Sequence, residues 1–491
     1  MTTCNKTFPG GYRFGKFEGQ PQEKMIEMGI PEWIVIPIEQ AGDSVVPLLV
    51  KAGDSVEAGQ IIARDDQSVS SPVHASVSGR VEEIKSLLYF GKEIQAVVIK
   101  SDGGSLWRRL EGYAADWENL PKGKIAELLY LSGVSALDRE GIPTPFRSSI
   151  LGPEQVKHVI VHGVGSDMYA LSMSVLLEGQ KSLDFAEGLK MLRRVMSDAH
   201  FHLAIDKHQK GFVDQLREGL GGEEWMDICA LEPKYPQEFD EVLISTVVGR
   251  QLPYGASAAE IGVVVLDIQA VLQVFEAVTA GKPLIERTGA LCGPGFTENP
   301  HIRVRIGAPL ESLVRGMTRE GEDVRFVLNR PLTGEMFADL GLPIDRRFSQ
   351  VSAFPEGKTR AFLAFADPGF RKDSFTRLFS AKLFGSKKCA DTNLHGEERP
   401  CIFCNFCQEV CPAGIIPHLL YRYVERDLVD ESFMSLGAFG CMGCDLCSYV
   451  CPSKIPVAKF IKAGQEKLIS EGFKPPLSKD LDPKETEDSC G

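Results

Sequence analysis

No stretch of this 491-residue chain approaches the roughly 18–20 consecutive apolar residues that a membrane helix needs, so no helical span is expected. A basic excess is also missing. Against 54 Lys and Arg stand 67 Asp and Glu, a formal charge of −13, which argues against nucleic acid or anionic lipid as the main partner. Met1 to Gln20 lacks the apolar core of a secretory signal, so a cytoplasmic location is expected, with any membrane association made through partners. Cysteine pairs spread over a small domain, the mark of a secreted disulfide scaffold, are lacking as well. At 43% hydrophobic and 25% charged residues the composition is ordinary for a globular protein, and the length exceeds one core, so three or four domains are expected.

What is present is cysteine in a pattern. Of 13 cysteines, eight fall between Cys401 and Cys451, while Cys4, Cys229, Cys292, Cys389 and Cys490 are scattered. The first run is Cys401, Cys404, Cys407 and Cys411 followed by Pro412; the second is Cys441, Cys444, Cys447 and Cys451 followed by Pro452. Both read C-x2-C-x2-C-x3-C-P, the bacterial-type [4Fe–4S] run whose fourth cysteine serves the other cluster when two are present. Three thiolates on a tight loop reach three iron corners of a cubane, and the fourth corner takes a ligand from elsewhere. One cluster is therefore expected on Cys401, Cys404, Cys407 and Cys451, and the other on Cys441, Cys444, Cys447 and Cys411. Zinc sites use two separated C-x2-C pairs or mixed cysteine and histidine, which suits this spacing poorly. Ile416, Leu419, Leu420, Tyr423 and Val424, and then Val457, Phe460, Ile461 and Leu468, recur at helical spacing and are expected to cover the clusters. Cys389 is the one scattered cysteine close in sequence to the first run. His74, His162, His202, His395 and His418 follow no ligand pattern.

Upstream, Trp33 to Lys100 alternates short β-branched runs with glycine turns, as in an all-β sandwich. From Gly123 to about Glu298, strands such as Val159 to Val161, His202 to Ile205 and Ile261 to Val265 alternate with helices at Ile125 to Leu129, Ala186 to Met196 and Val271 to Thr279. That alternation predicts a parallel α/β layer. A small α+β unit with strands at Arg303 to Ile306 and Val324 to Leu328 follows, then the helical cysteine module and a charged, proline-rich tail.

Phrases along the chain carry a family resemblance. Val50 to Gln60 and Val73 to Val81 resemble the lipoyl/biotinyl barrel-sandwich hybrid, but Asp65 to Ser70 lacks the lysine that carries a cofactor there. Phe8-Pro9-Gly10-Gly11, Pro72 to Gly79, Lys234-Tyr235-Pro236-Gln237 and Gly281 to Arg287 resemble the C subunit of the Rnf electron-transport complex. Phe348 to Ser352 with Glu356-Gly357 is closer to the A subunit of the sodium-pumping Nqr complex, which lacks the eight cysteines. Ile306 to Leu310 is similar to the SLBB β-grasp unit of both. The implied architecture is an N-terminal arm (1–30), a barrel-sandwich hybrid (31–103) and a Rossmann-like α/β domain similar to the complex I flavin subunit (120–298). An SLBB β-grasp (299–350), an α-helical dicluster ferredoxin module (370–472) and a disordered tail (473–491) complete it.

The resemblance also implies where a flavin and NADH would sit. The family's G-x-G-G-A-G-F-P-T loop corresponds to Ala136 to Thr144, where Gly141, Pro143 and Thr144 remain but Ala136, Asp138, Arg139 and Glu140 replace the rest. Glycine allows backbone N–H groups to approach a phosphate, and two carboxylates there repel it. The acidic loop that follows reads Gly165 and Asp167 where the family has two glutamates. Gly163-Val164-Gly165 lacks the third glycine of a dinucleotide loop, Met168 standing there. FMN and NAD are accordingly not expected. The resemblance implies a subunit that relays electrons through two [4Fe–4S] clusters between a soluble or flavoprotein donor and membrane subunits, peripheral on the cytoplasmic face of the inner membrane. It would be part of an oxidoreductase or translocase complex rather than an enzyme alone. The alternatives are a self-contained FMN/NADH dehydrogenase subunit, a cobalamin-reductase-like flavoprotein, whose sandwich follows its clusters, and a docking scaffold with structural clusters.

Overall fold

The computed structural model describes residues 3–39, 46–65, 70–134, 142–144, 149, 151–209, 211, 224–319, 321–337, 339–357, 373–375, 387–393 and 397–475. The two opening strands, β1 (Thr3–Lys6) and β2 (Met25–Glu27), complete sheets whose other strands come much later in the chain. The sandwich follows, built from β3 (Trp33–Pro37), β4 (Ser55–Val56), β5 (Ile61–Ala63), β6 (Val73–His74), β7 (Gly79–Tyr89) and β8 (Lys92–Ser101). One antiparallel sheet has the order β3-β8-β7-β4, and β5 pairs with β6. Where the sequence suggested uniformly short strands, β7 and β8 form a hairpin of 11 and 10 residues. Its turn is set by Phe90 at φ 47° and Gly91 at φ 85°, the left-handed pair that matches strand twist.

The α/β layer comprises β9 (His158–Gly163), β10 (His200–Asp206), β11 (Met226–Leu231) and β12 (Val263–Asp267), all parallel, in the order β1-β11-β10-β9-β12. Helices α1 (Lys122–Leu131), α2 (Lys181–Val195), α3 (Asp240–Val247) and α4 (Ile268–Thr279) cover it. Leu129, Phe185, Leu189 and Val274 of α1, α2 and α4 pack on Val159 and Leu203 of one face. Leu243 and Val247 of α3 pack with Ile160 and Ala204 on the other. Such strands are apolar on both faces, so their runs are continuous rather than alternating. The order turns back between β9 and β12, which leaves a crevice at the carboxyl ends of the strands.

A second mixed sheet holds β13 (Glu286–Cys292), β14 (His301–Arg305), β15 (Val324–Leu328), β16 (Glu335–Met336) and β17 (Gln350–Pro355), in the order β16-β15-β17-β13-β14-β2. It takes β2 from the N-terminal arm and a central strand, β13, from before residue 299. Its core is continuous with the sandwich, since Ile34, Ile36 and Val97 cluster with Ile302, Ile344 and Val351.

The cysteine module is helical: α5 (Phe406–Glu409), α6 (Pro417–Glu425), α7 (Leu446–Tyr449) and α8 (Val457–Ser470). Tyr421 of α6 meets Phe460 of α8 edge to face at 4.9 Å. Among the described residues no helix is long and apolar enough to cross a membrane.

Candidate metal centres

The two cysteine runs fold as copies of one unit. Short helix α5 precedes Cys411 as α7 precedes Cys451, and α6 and α8 follow each Cys-Pro. The backbone repeats too. Phe403 and Asn405 have φ of 54° and 65°, and the matching Gly443 and Asp445 have 71° and 61°. After the prolines, Gly414 and Lys454 match at 67° and 61°. Left-handed residues in tight loops can turn neighbouring N–H groups into one hollow, which suits an anionic sulfur cage.

The folded chain brings the cysteines together in two sets. Cys401, Cys404, Cys407 and Cys451 line one cavity, with His418, Tyr421 and Ile455. Cys411, Cys441, Cys444 and Cys447 line the other, with Met442, Leu446 and Ile461. Each cavity thus holds three cysteines of one run and the last cysteine of the other. All eight are free thiols, not disulfides. Cys389 lines neither cavity.

Burial makes Cys407, Cys411, Cys441, Cys444 and Cys447 poor acids. It pushes Cys407 and Cys441 up to about 11, Cys444 up to about 12, and Cys447 well above its ordinary value. Backbone groups work against burial: Ala413, Gly414 and Ile415 at Cys411, Gly443 at Cys441 and Leu446 at Cys444 each lower the thiol's pKa by hydrogen bonding. A buried thiol set of this kind is deprotonated when metal charge is supplied, with N–H donors ready for the thiolates. The residues fit a cubane cluster in each cavity.

His418 is a neighbour that sequence spacing did not mark. Its Nδ1 lies 3.8 Å from the Cys407 sulfur, and its ring packs edge-on to Phe403 at 5.6 Å. Its signal was the repeat itself: the corresponding residue of the second unit, Ala458, lines the other cavity and carries no donor. The helical pattern expected from Ile416, Leu419 and Tyr423 is rotated, because the buried face of α6 is Pro417, His418, Leu420 and Tyr421.

The second cavity faces inward. Tyr235 donates its phenol proton to the Cys444 carbonyl at 2.7 Å, and Gly11 N–H donates to the Val410 carbonyl at 2.9 Å. Tyr254 stacks near Phe439 at 5.0 Å. Lys234 holds the arm through the Phe8 and Gly10 carbonyls. The Lys234-Tyr235-Pro236-Gln237 phrase therefore clamps arm and cysteine module together. The first cavity faces outward, for Ile402 and Phe403 on its loop are 66% and 53% exposed.

Of the expected flavin loop, Ala136, Asp138, Arg139, Glu140 and Gly141 lie outside the described residues. Gly165 and Asp167 follow β9 and line a cavity of about 660 Å³ at the carboxyl end of the sheet. Arg13, Lys16 and Lys387 line it too. Asp167 Oδ1 accepts from Met168 N–H at 2.6 Å, while its buried Oδ2 has no partner among the described residues. Burial, with Glu238 nearby, raises its pKa to about 7.

The fold and these paired cavities define a multidomain iron–sulfur protein. Residues 6–104 match the RnfC barrel sandwich hybrid domain, 131–276 the Nuo51 FMN-binding domain and 400–455 the 4Fe-4S dicluster domain. The C subunit of the proton-translocating ferredoxin:NAD(+) oxidoreductase complex of Clostridium ljungdahlii is 25% identical, over 87% of this chain and 86% of its own. Its counterpart in the Na(+)-translocating ferredoxin:NAD(+) oxidoreductase complex of Acetobacterium woodii is 25% identical, over 88% and 90%. The chain is thus similar to RnfC subunits over most of its length, and these relatives fall on the Rnf side of its two resemblances. An NAD+-reducing [NiFe]-hydrogenase structure in the H2-reduced state aligns with 73% of this chain and 63% of its own, at 13% identity and a TM-score of 0.42.

Proposed function

We propose that the chain is the iron–sulfur electron-transfer subunit of an Rnf- or Nqr-like ion-translocating complex. It is held peripherally on the cytoplasmic face of the inner membrane by partner subunits. The observation that carries this is the exchange of fourth cysteines between two four-cysteine cavities. The relatives, named as subunits of ferredoxin:NAD(+) oxidoreductase complexes, support it.

The ligands of one cluster are Cys401, Cys404, Cys407 and Cys451, and of the other Cys441, Cys444, Cys447 and Cys411. When bound, each cluster supplies a one-electron couple. The protein's part is to exclude water with α6 and α8, to donate backbone N–H groups to sulfur, and to fix the module against the α/β layer through Tyr235 and Gly11. The outward cavity exchanges electrons with a partner, and the inward one exchanges them with the outward one. The domain limits 31–103, 120–298, 299–350 and 370–472 go with this reading.

In this reading the chain carries neither FMN nor NAD. In sequence, Asp138 and Glu140 put two carboxylates into the loop that would approach a phosphate, and Gly165 and Asp167 replace two glutamates. A second reading, a flavin in the chain itself, is favoured by the match to the Nuo51 FMN-binding domain and by the strand-end cavity with Arg13, Lys16 and Lys387. Flavin analysis of protein purified without oxygen, with an NADH titration followed by EPR, decides between them. The relay reading expects no flavin and no reduction by NADH. Bound FMN with prompt cluster reduction would establish the second.

A further inference from the structure

The opposite, amino-terminal end of the parallel sheet holds a group of side chains that the electron relay does not use. His158 starts β9, His200 and His202 start β10, and Asp227 stands second in β11. The register pairs His200 with His158 and His202 with Asp227, so alternation along the strands puts all four on one face. That face is the one covered by α3, and the group forms its rim.

The side chains meet there. His200 Nε2 lies 2.8 Å from Asp227 Oδ2, and His202 Nε2 lies 3.1 Å from His158 Nδ1. One ligand-type atom from each of His200, His202 and Asp227 falls within 4.8 Å of the others. We propose that His200, His202 and Asp227 form a divalent transition-metal site, zinc being the ion of best fit, with His158 positioning His202.

Two imidazoles and a carboxylate with one position left for water are a zinc donor set of ordinary type. Ligand atoms at 2.0–2.1 Å from a tetrahedral ion are about 3.3 Å apart, so closing round the metal asks for movements of about 1.5 Å. His202 donating through Nε2 to His158 Nδ1 leaves its own Nδ1 unprotonated for the metal, the kind of outer hydrogen bond that fixes a ligand's tautomer. Half-exposed His200 and Asp227 give an entry path, while His202 is buried. Two of the nearby cations are engaged elsewhere: Lys6 Nζ donates to the Val247 carbonyl at 2.7 Å and Arg250 to the Ile261 carbonyl at 3.3 Å. A bound ion would tie β10 to β11 at the end of the sheet away from the cysteine module.

The test is calorimetric titration of zinc chloride into the full, cluster-loaded chain purified without oxygen, alongside His200→Ala and Asp227→Asn. The proposal expects one zinc per wild-type chain beyond the clusters, with affinity at least tenfold weaker in both variants. Iron content and melting temperature should be unchanged in Asp227→Asn. Zinc-edge X-ray absorption should show nitrogen and oxygen neighbours at about 2.0–2.2 Å. No uptake by wild type, equal uptake by both variants, or sulfur neighbours at about 2.3 Å would overturn it.

Discussion

Tyr235 and Cys444 lie 209 residues apart in sequence, yet the phenol of one donates to the carbonyl of the other at 2.7 Å in a fully buried contact. This bond joins the α/β layer to the loop of the inward cavity. Tyr235→Phe leaves a buried carbonyl unsatisfied, at a cost of about 1–3 kcal/mol. The melting temperature should fall, and the EPR midpoint potential of the Cys411/Cys441/Cys444/Cys447 cluster should move while the other stays. Equal movement of both would mean that the bond is not specific to that cavity.

The exchange of fourth cysteines gives a sharper forecast. Cys411→Ala should remove the cluster held by the second run and spare the one held by Cys401, Cys404 and Cys407. Iron should drop by about four per chain, with one EPR signal remaining. If the surviving signal were that of the second run, the ligand sets would be local to each run.

His418 and its counterpart Ala458 make the two cavities unequal. His418→Ala withdraws a potential donor 3.8 Å from the Cys407 sulfur and should lower the potential of that cluster alone. Redox-poised EPR reads this directly, and an unshifted potential would show that the ring serves packing only.

Gly10 has φ +66°, and a Cβ there would lie 2.6 Å from the Cys411 carbonyl oxygen. Gly10→Ala adds backbone strain and a clash, roughly 2–4 kcal/mol together. Gly316, at φ +73° with open space around it, is the control, for which the strain alone costs about 1–2 kcal/mol. Thermal unfolding should rank the two variants in that order.

His74 supplies a pH dependence. Its Nε2 contacts the Leu131 carbonyl at 2.9 Å, and burial lowers its pKa from 6.5 to about 4. Between those values the unfolded chain takes up a proton that the folded chain refuses, so stability falls as pH falls from 6.5 towards 4. The loss is on the order of 3 kcal/mol when complete. Unfolding at pH 7 and pH 5 should separate wild type from His74→Gln, whose side chain does not titrate. Parallel profiles would remove His74 from the account.

The cysteine sets were legible in the sequence because ligand spacing within a loop is a local property. The parallel strands were legible because strands buried on both faces leave continuous apolar runs, as at Val159 to Val161. What the sequence hid was long-range pairing. Thr3–Lys6 carries no strand signal and becomes one by lying beside Ile228 to Leu231. Met25–Glu27 likewise takes its form from His301 to Arg303. His418 was hidden for another reason: one histidine has no period, and its meaning appears when the two repeats are superposed. Tyr235 was noticed as part of a phrase, but its partner at Cys444 is a fact of tertiary packing alone.

The central claim is that two [4Fe–4S] clusters cycle in this chain. Iron and sulfide analysis with a redox-poised EPR titration of anaerobically purified protein tests it most directly. The account predicts about eight irons and eight sulfides per chain and two one-electron transitions, each reversible. Zinc in place of iron, or clusters that do not reduce reversibly, would contradict it.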